Sequence, residues 1–313
     1  MENGMDGQGA IRQAVQRKIT WLQDTNWWQM LGYAWLVFIF GRLASIVLPA
    51  ALKPFLDKPL LMLPLLLIVA KDLAGIPDFT GRLRRVARKG TSWRERVGAA
   101  FPPEFLALYR FERAMRRAFF AWMRRQPHAP RPAGTVLTYT ERGSYTTVLA
   151  IAVFSACIEL PLDAAIASLF IDNPGVRSIL HTCSLLSAAS ILMYVAADRW
   201  LVRGAQGHVL TGDALDLSIG ARASGLIPLG AIERVESVGE KPDEWCKRHG
   251  VAKRDTVTVS PFDAPNVVLR LRRERPVTII TYQLEKPAPA YVFLYLDRPE
   301  LLSAALQRAA PSA

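Results

Sequence analysis

Two apolar blocks, roughly residues 28–75 and 145–197, constrain this chain more than any other feature, because each is long enough to cross a bilayer twice. A helix rises about 1.5 Å per residue, so about 20 apolar residues span the hydrocarbon core. Trp28 to Ala50 forms one run, with Arg42 as its single charge and Trp27, Trp28, Tyr33 and Trp35 at its start, where aromatic rings suit the headgroup level. Phe55 to Gly75 forms a second, kinked at Pro64 and ended by Lys71 and Asp72. Tyr145 to Ile171 and Arg177 to Ala197 form the third and fourth, joined by the turn formers Asp172-Asn173-Pro174-Gly175. The expected architecture is four transmembrane helices in two tight hairpins, and the first run is too long for a cleaved leader.

The net charge of +12 is unevenly spread. Between Ile76 and Ser144 stand fifteen Lys or Arg against five acids, a surplus of ten. A basic loop between apolar blocks points to anionic lipid headgroups rather than to nucleic acid. The Lys and Arg bias also orients the hairpins: twenty cations flank one side, including Arg199 and Arg203, against Lys53, Lys58 and Arg177 on the other. Both termini and the basic loop are therefore expected in the cytoplasm. Arg42 reads either as a snorkelling interfacial cation or as a charge facing a polar cavity.

Within the loop, residues 104–125 alternate as an amphipathic helix. Leu108, Phe111, Met115, Ala118, Phe119 and Trp122 share one arc, and Arg110, Arg113, Arg117, Arg124 and Arg125 share the opposite one. Such a helix lies in the headgroup layer, with those arginines and Trp122 as surface contacts, or docks on a soluble domain. His128 to Gly134 reads as a proline-rich linker.

The third run carries Glu159 and Asp163, four apart and therefore on one helix face, with Pro161 between them. A carboxylate at membrane depth costs about 2.5 to 3.5 kcal/mol. Either the helix ends near Leu160 and the acids sit at the outer interface, or they line a polar pocket with His181 as partner. The second case would make the chain a small transporter or channel subunit.

After Trp200 the pattern turns to short alternating strands: His208–Thr211, Ala214–Ile219, Ser224–Pro228, Ile232–Val238, Thr256–Ser260, Val267–Leu271, Val277–Tyr282 and Tyr291–Leu296. A short helix over Lys241 to His249 interrupts them. A terminal helix is capped by Asp297, with Pro299 in its first turn. The organisation expected is 1–27 cytoplasmic, 28–75 hairpin, 76–144 basic loop, 145–197 hairpin and 198–313 a mainly-β, barrel-like domain. The run RWLVRGAQGHVLTGDALDLSIGARASGLIPLGAIERVESV and the ending YLDRPELLSAALQ resemble the pleckstrin-homology-like domains of uncharacterised proteobacterial inner-membrane proteins. That resemblance implies a multi-pass inner-membrane protein displaying a domain that binds a protein partner or lipid headgroups, with a homo-oligomer as one form open to it.

No nucleotide loop, dinucleotide fingerprint, zinc-protease motif or nucleophile elbow occurs, so neither an enzyme nor a cofactor is expected. Cys246 and His249, three apart on a short helix read as exposed, are too few to hold zinc. Cys157 and Cys183 lie in apolar runs and read as packing residues.

Overall fold

The structure, a computed structural model, describes residues 16, 18, 21, 22, 25, 27–47, 53–88, 93, 98 and 101–309. Side chains of several residues inside the first helices, Arg42 and most of the cations of 82–96 among them, lie outside that description. The chain divides into two compact units, Met1–Leu106 and Ala107–Ala313.

In the first unit, α1 (Trp27–Val47) packs on α2 (Lys53–Arg88). The second helix is longer than its apolar stretch predicts. It runs without a break past Pro59, Pro64 and Pro77 and takes the first part of the basic loop into its last turns. Lys71 does more than mark an end: it is buried, and its Nζ donates to the carbonyls of Leu22 at 2.5 Å and Thr25 at 2.6 Å. A lysine so placed neutralises carbonyls that a helix terminus leaves unpaired.

The second unit holds the amphipathic helix α3 (Pro103–Met123, from Ala107 on), the long helices α4 (Tyr145–Phe170) and α5 (Pro174–Ala205), and the β domain. Among the described residues α4 and α5 are long and apolar enough to cross a membrane, and Gln29–Gly41 is a shorter apolar stretch. The pair meets over small residues, Ala156, Ala167 and Ala188 being buried, which lets two backbones approach closely. The outer faces expose Phe154, Leu162, Leu169, Phe170, Ile179 and Leu186, an apolar surface that water does not suit. Their turn is built as its residues predict. Asn173 caps α5 by accepting from the amides of Gly175 and Val176, and the Arg177 guanidinium donates to the carbonyl of Ile171 at 2.7 Å. Contrary to an end at Leu160, α4 continues through Pro161 to Phe170.

Ten strands form the β domain: β1 (Thr135–Leu137), β2 (His208–Leu210), β3 (Ala214–Ile219), β4 (Ala223–Pro228), β5 (Ile232–Ser237), β6 (Thr256–Val259), β7 (Val267–Leu271), β8 (Thr278–Thr281), β9 (Leu284–Pro287) and β10 (Tyr291–Leu294). They make two open sheets rather than a closed barrel, in the orders β1-β2-β3-β4-β8-β9 and β5-β7-β10-β6. Period-2 alternation sends Leu215, Leu217 and Ile219 of β3 and Val267, Leu269 and Leu271 of β7 into one shared core. Two shorter helices complete the domain. The first, α6 (Pro242–His249), buries Trp245 and Cys246 against Val268 and Phe293, so Cys246 is a core residue and not an exposed one. Burial pushes its thiol pKa up, which keeps it protonated and inert. The second, α7 (Pro299–Ala309), inserts Leu302 into the main core.

The first strand changes the domain boundary. β1 precedes α4, yet pairs antiparallel with β2, which follows α5, in the register Thr135 to Leu210 and Leu137 to His208. The apolar hairpin is thus an excursion out of the β domain, which begins near residue 135 instead of 198. The segment read as a linker is also structured: His128 packs on Trp200, with ring centroids 4.4 Å apart, and the Arg131 guanidinium caps the end of α5 by donating to the carbonyls of Ala205 and Gly207. Asp297 serves the same junction instead of capping α7. Its carboxylate accepts from the amides of Glu141 at 2.9 Å and Arg142 at 3.0 Å, while its own amide donates to Thr138.

Gly207 makes the return from α5 into β2 possible. Its φ of +132° is a glycine conformation, and a Cβ there would stand 2.5 Å from the carbonyl oxygen of Leu137 in β1. Gly207→Ala is therefore expected to cost more than about 1 kcal/mol, read as faster hydrogen exchange across β1 and β2.

Candidate functional site

The residues with the most demanding environments gather where the hairpin enters the β domain. Tyr145 opens α4, Asp198 lies in the last turns of α5, and Arg222 sits between β3 and β4. The Tyr145 hydroxyl donates to Asp198 Oδ2 at 2.9 Å, and the Arg222 guanidinium donates to the same oxygen at 2.9 Å. Only 2% of Asp198 is exposed. Arg222 also lies 4.2 Å from the ring centroid of Phe262, which stacks on Tyr145, so its charge is held by a carboxylate and an aromatic face together. One residue before α4, the Ser144 amide donates to Asp263 Oδ1 at 2.8 Å. Both ends of the hairpin are clamped to the domain by charge-assisted bonds, which are about twice as strong as neutral ones.

A second buried polar pair lies beside it. His208 of β2 is fully buried, and its Nδ1 accepts from the amide of Ser218 at 3.0 Å. Tyr139, also fully buried, packs its ring at a tilt against the imidazole, with centroids 5.0 Å apart, and donates to the carbonyl of Ser218 at 2.9 Å. Burial drives the His208 pKa down to about 3 and raises that of Tyr139, so both are neutral. The sign of the resulting pH dependence follows. Above about pH 6.5 His208 is neutral folded and unfolded alike. Below it the unfolded chain binds a proton that the folded one refuses until about pH 3, and stability falls by up to about 1.4 kcal/mol per pH unit. His208→Asn keeps an acceptor for Ser218 and cannot titrate there, so unfolding midpoints measured from pH 6.5 to 4.5 should fall less steeply than in the parent chain.

The amphipathic helix divides its expected face. Met115 and Ala118 pack on Ala197 and Ala221, with Trp200 and Leu201 beside them. Phe111 meets Tyr282 at 5.9 Å between ring centroids, and Glu112 accepts from the hydroxyl of Tyr194. That half of the arc docks on α5 and the domain. Leu108 and Trp122 remain exposed, as do Arg110, Arg113, Arg117, Arg124 and Arg125.

Glu159 and Asp163 are both exposed on α4. Asp163 accepts from the Ser184 hydroxyl of α5 at 2.6 Å, and among the described residues no hydrogen bond joins His181 to either acid. Among those residues there is also no group of three or more His, Cys, Asp or Glu side chains placed to hold a metal. Sequence reasoning did not single out Asp198, Arg222, Tyr145, Tyr139, Asp263 or Arg131. The one local signal was Asp198 itself, an acid at the end of an apolar helix, where it must find a partner.

Comparison with family models, with curated proteins and with solved structures finds no match for this chain.

Proposed function

We propose that this chain is a four-crossing protein of a bacterial inner membrane that holds its β domain rigidly at the cytoplasmic face as a binding platform for a protein partner. The observation that carries this reading is the insertion of α4 and α5 between β1 and β2, with Tyr145, Asp198 and Arg222 locking both helix ends to the domain. A single flexible tether would let a domain tumble. Two rigid attachments fix its height and face, which lowers the ordering cost of recognition at a surface.

Several features support the remaining parts. The apolar character of α1 and of the first half of α2 suits a second membrane hairpin. The exposed arginines of α3 and exposed Trp122 suit anionic headgroups at the inner leaflet. Short strands followed by a terminal helix that plugs the core with Leu302 fit a pleckstrin-homology-like domain, although its sheets stay open.

Alkaline carbonate extraction and affinity capture test the reading together. The chain should stay in the membrane pellet, and the full chain should retain a protein that a chain ending at residue 205 does not. Release by carbonate, or identical captured proteins from both chains, would refute it.

A further inference from the structure

A groove of about 810 Å³ opens between the domain-proximal ends of α4 and α5. Leu149, Val153 and Phe154 of α4 and Val195 of α5 make its walls apolar. Arg199 and Arg203 stand at its domain end, four residues apart and so on one face of α5. Both are exposed, and among the described residues neither forms an ion pair or a hydrogen bond. The acid at the same mouth, Glu141, is already paired with Arg298 at 3.5 Å. The neighbouring acid of α5, Asp198, is buried, and its Oδ2 is already engaged by Arg222 and Tyr145. The groove therefore joins an uncompensated pair of guanidinium groups to an apolar slot.

From this arrangement we propose that the groove is a binding site for one membrane phospholipid with an anionic headgroup, its phosphate on Arg199 and Arg203 and an acyl chain along Leu149, Val153 and Phe154. The chemistry selects this occupant. Guanidinium forks match phosphate oxygens bidentately, and basic pockets between spanning helices on the cytoplasmic side take anionic headgroups. An apolar peptide helix would leave both arginines without a partner, and a free phosphate would leave the slot unfilled. The site rests on the membrane reading above, because it needs α4 and α5 in a bilayer. It adds to that reading a lipid cofactor wedged where the domain meets the hairpin, touching Thr140 of the segment that enters α4 and Gln206 of the segment that leaves α5.

Native mass spectrometry of the full chain in neutral detergent tests the site, with phosphatidylglycerol and phosphatidylcholine of equal chain length as probes. One phosphatidylglycerol should be retained about 10-fold better than phosphatidylcholine. Arg199→Gln with Arg203→Gln should abolish that preference, whereas Arg270→Gln with Arg273→Gln, on the far strand end, should not. Ala150→Trp, which fills the slot without touching charge, should lower retention of both lipids. Equal retention of the two lipids by the parent chain, or a preference that survives loss of both arginines, would overturn the proposal. So would competition by glycerol phosphate as strong as that of the lipid, which would mean a simple anion site, or a lipid-insensitive dimer, which would mean that a second copy fills the groove. Carbonate extraction and partner capture read the parent proposal independently. A chain that stays in the membrane and keeps its partner without lipid preference loses only this inference.

Discussion

Asp198→Ala is expected to lower the stability of the folded chain by about 3 to 5 kcal/mol. The loss comes less from the bond that disappears than from the Arg222 guanidinium it strands. That group is 12% exposed at its side chain, and its other protein contacts are the carbonyl of Pro261 at 3.4 Å and the rings of Phe262 and Tyr145. The Tyr145 hydroxyl would lose its acceptor as well. Asp198→Asn, which keeps an acceptor but not the charge, should fall between the parent and the alanine variant. Asp243→Ala, which removes an equally short ion pair to Lys253, should change stability by less than about 1 kcal/mol, because both of its partners are mostly exposed. Hydrogen exchange of the β3 and β7 amides in detergent reads all three variants on one scale. Similar costs for Asp198→Ala and Asp243→Ala would show that the junction is not a clamp.

Excision gives the second large effect. A fragment of residues 198–313, which is the domain as its strand pattern delimits it, should fail to form a stable fold. It lacks β1, leaves β2 as an unpaired sheet edge, and removes Leu137 and Tyr139, both at or near zero exposure, from the core. Truncating a buried residue of this size costs about 2 to 5 kcal/mol, and a domain of this length has a total stability of about 5 to 15 kcal/mol. The carboxylate of Asp297 and the imidazole of His208 would also lose their surroundings. Rejoining residues 127–144 to 198–309 through a short Gly-Ser loop should restore a dispersed amide spectrum, since Tyr145 and Asp198 are already in hydrogen-bond contact. Equal folding of the two fragments would mean that β1 is dispensable.

The individual strands of the domain were largely legible because hydrophobic alternation decides them. Ala214–Ile219 and Val267–Leu271 have the ends their patterns predict. The failures have local causes. β1 is three residues long and follows a run of prolines, too short for any alternation to register. β9 was missed because the turn that joins it to β8 is Tyr282-Gln283, both at positive φ without the Asn or Gly such a turn favours. Its conformation is fixed from outside, by the Tyr282 amide donating to the carbonyl of Arg222 and the Gln283 side chain donating to that of Ala221. Asp297 had the composition of a cap but lies one residue too early, and its carboxylate goes to amides far away in sequence. The site was less legible than the fold for the same reason. Tyr145, Asp198 and Arg222 are separated by 53 and 24 residues, and they meet through the packing of α4 on α5 and the pairing of β1 with β2.

Labelling with a membrane-impermeant maleimide tests the central claim most directly. In a background with Cys157, Cys183 and Cys246 replaced, Asn173→Cys lies in the turn between α4 and α5, and Arg273→Cys lies on the β domain. The expected result is labelling of Asn173→Cys in intact spheroplasts and labelling of Arg273→Cys only after the membrane is opened. Equal labelling of both positions before lysis would contradict a hairpin that crosses the membrane and holds the domain on its inner side.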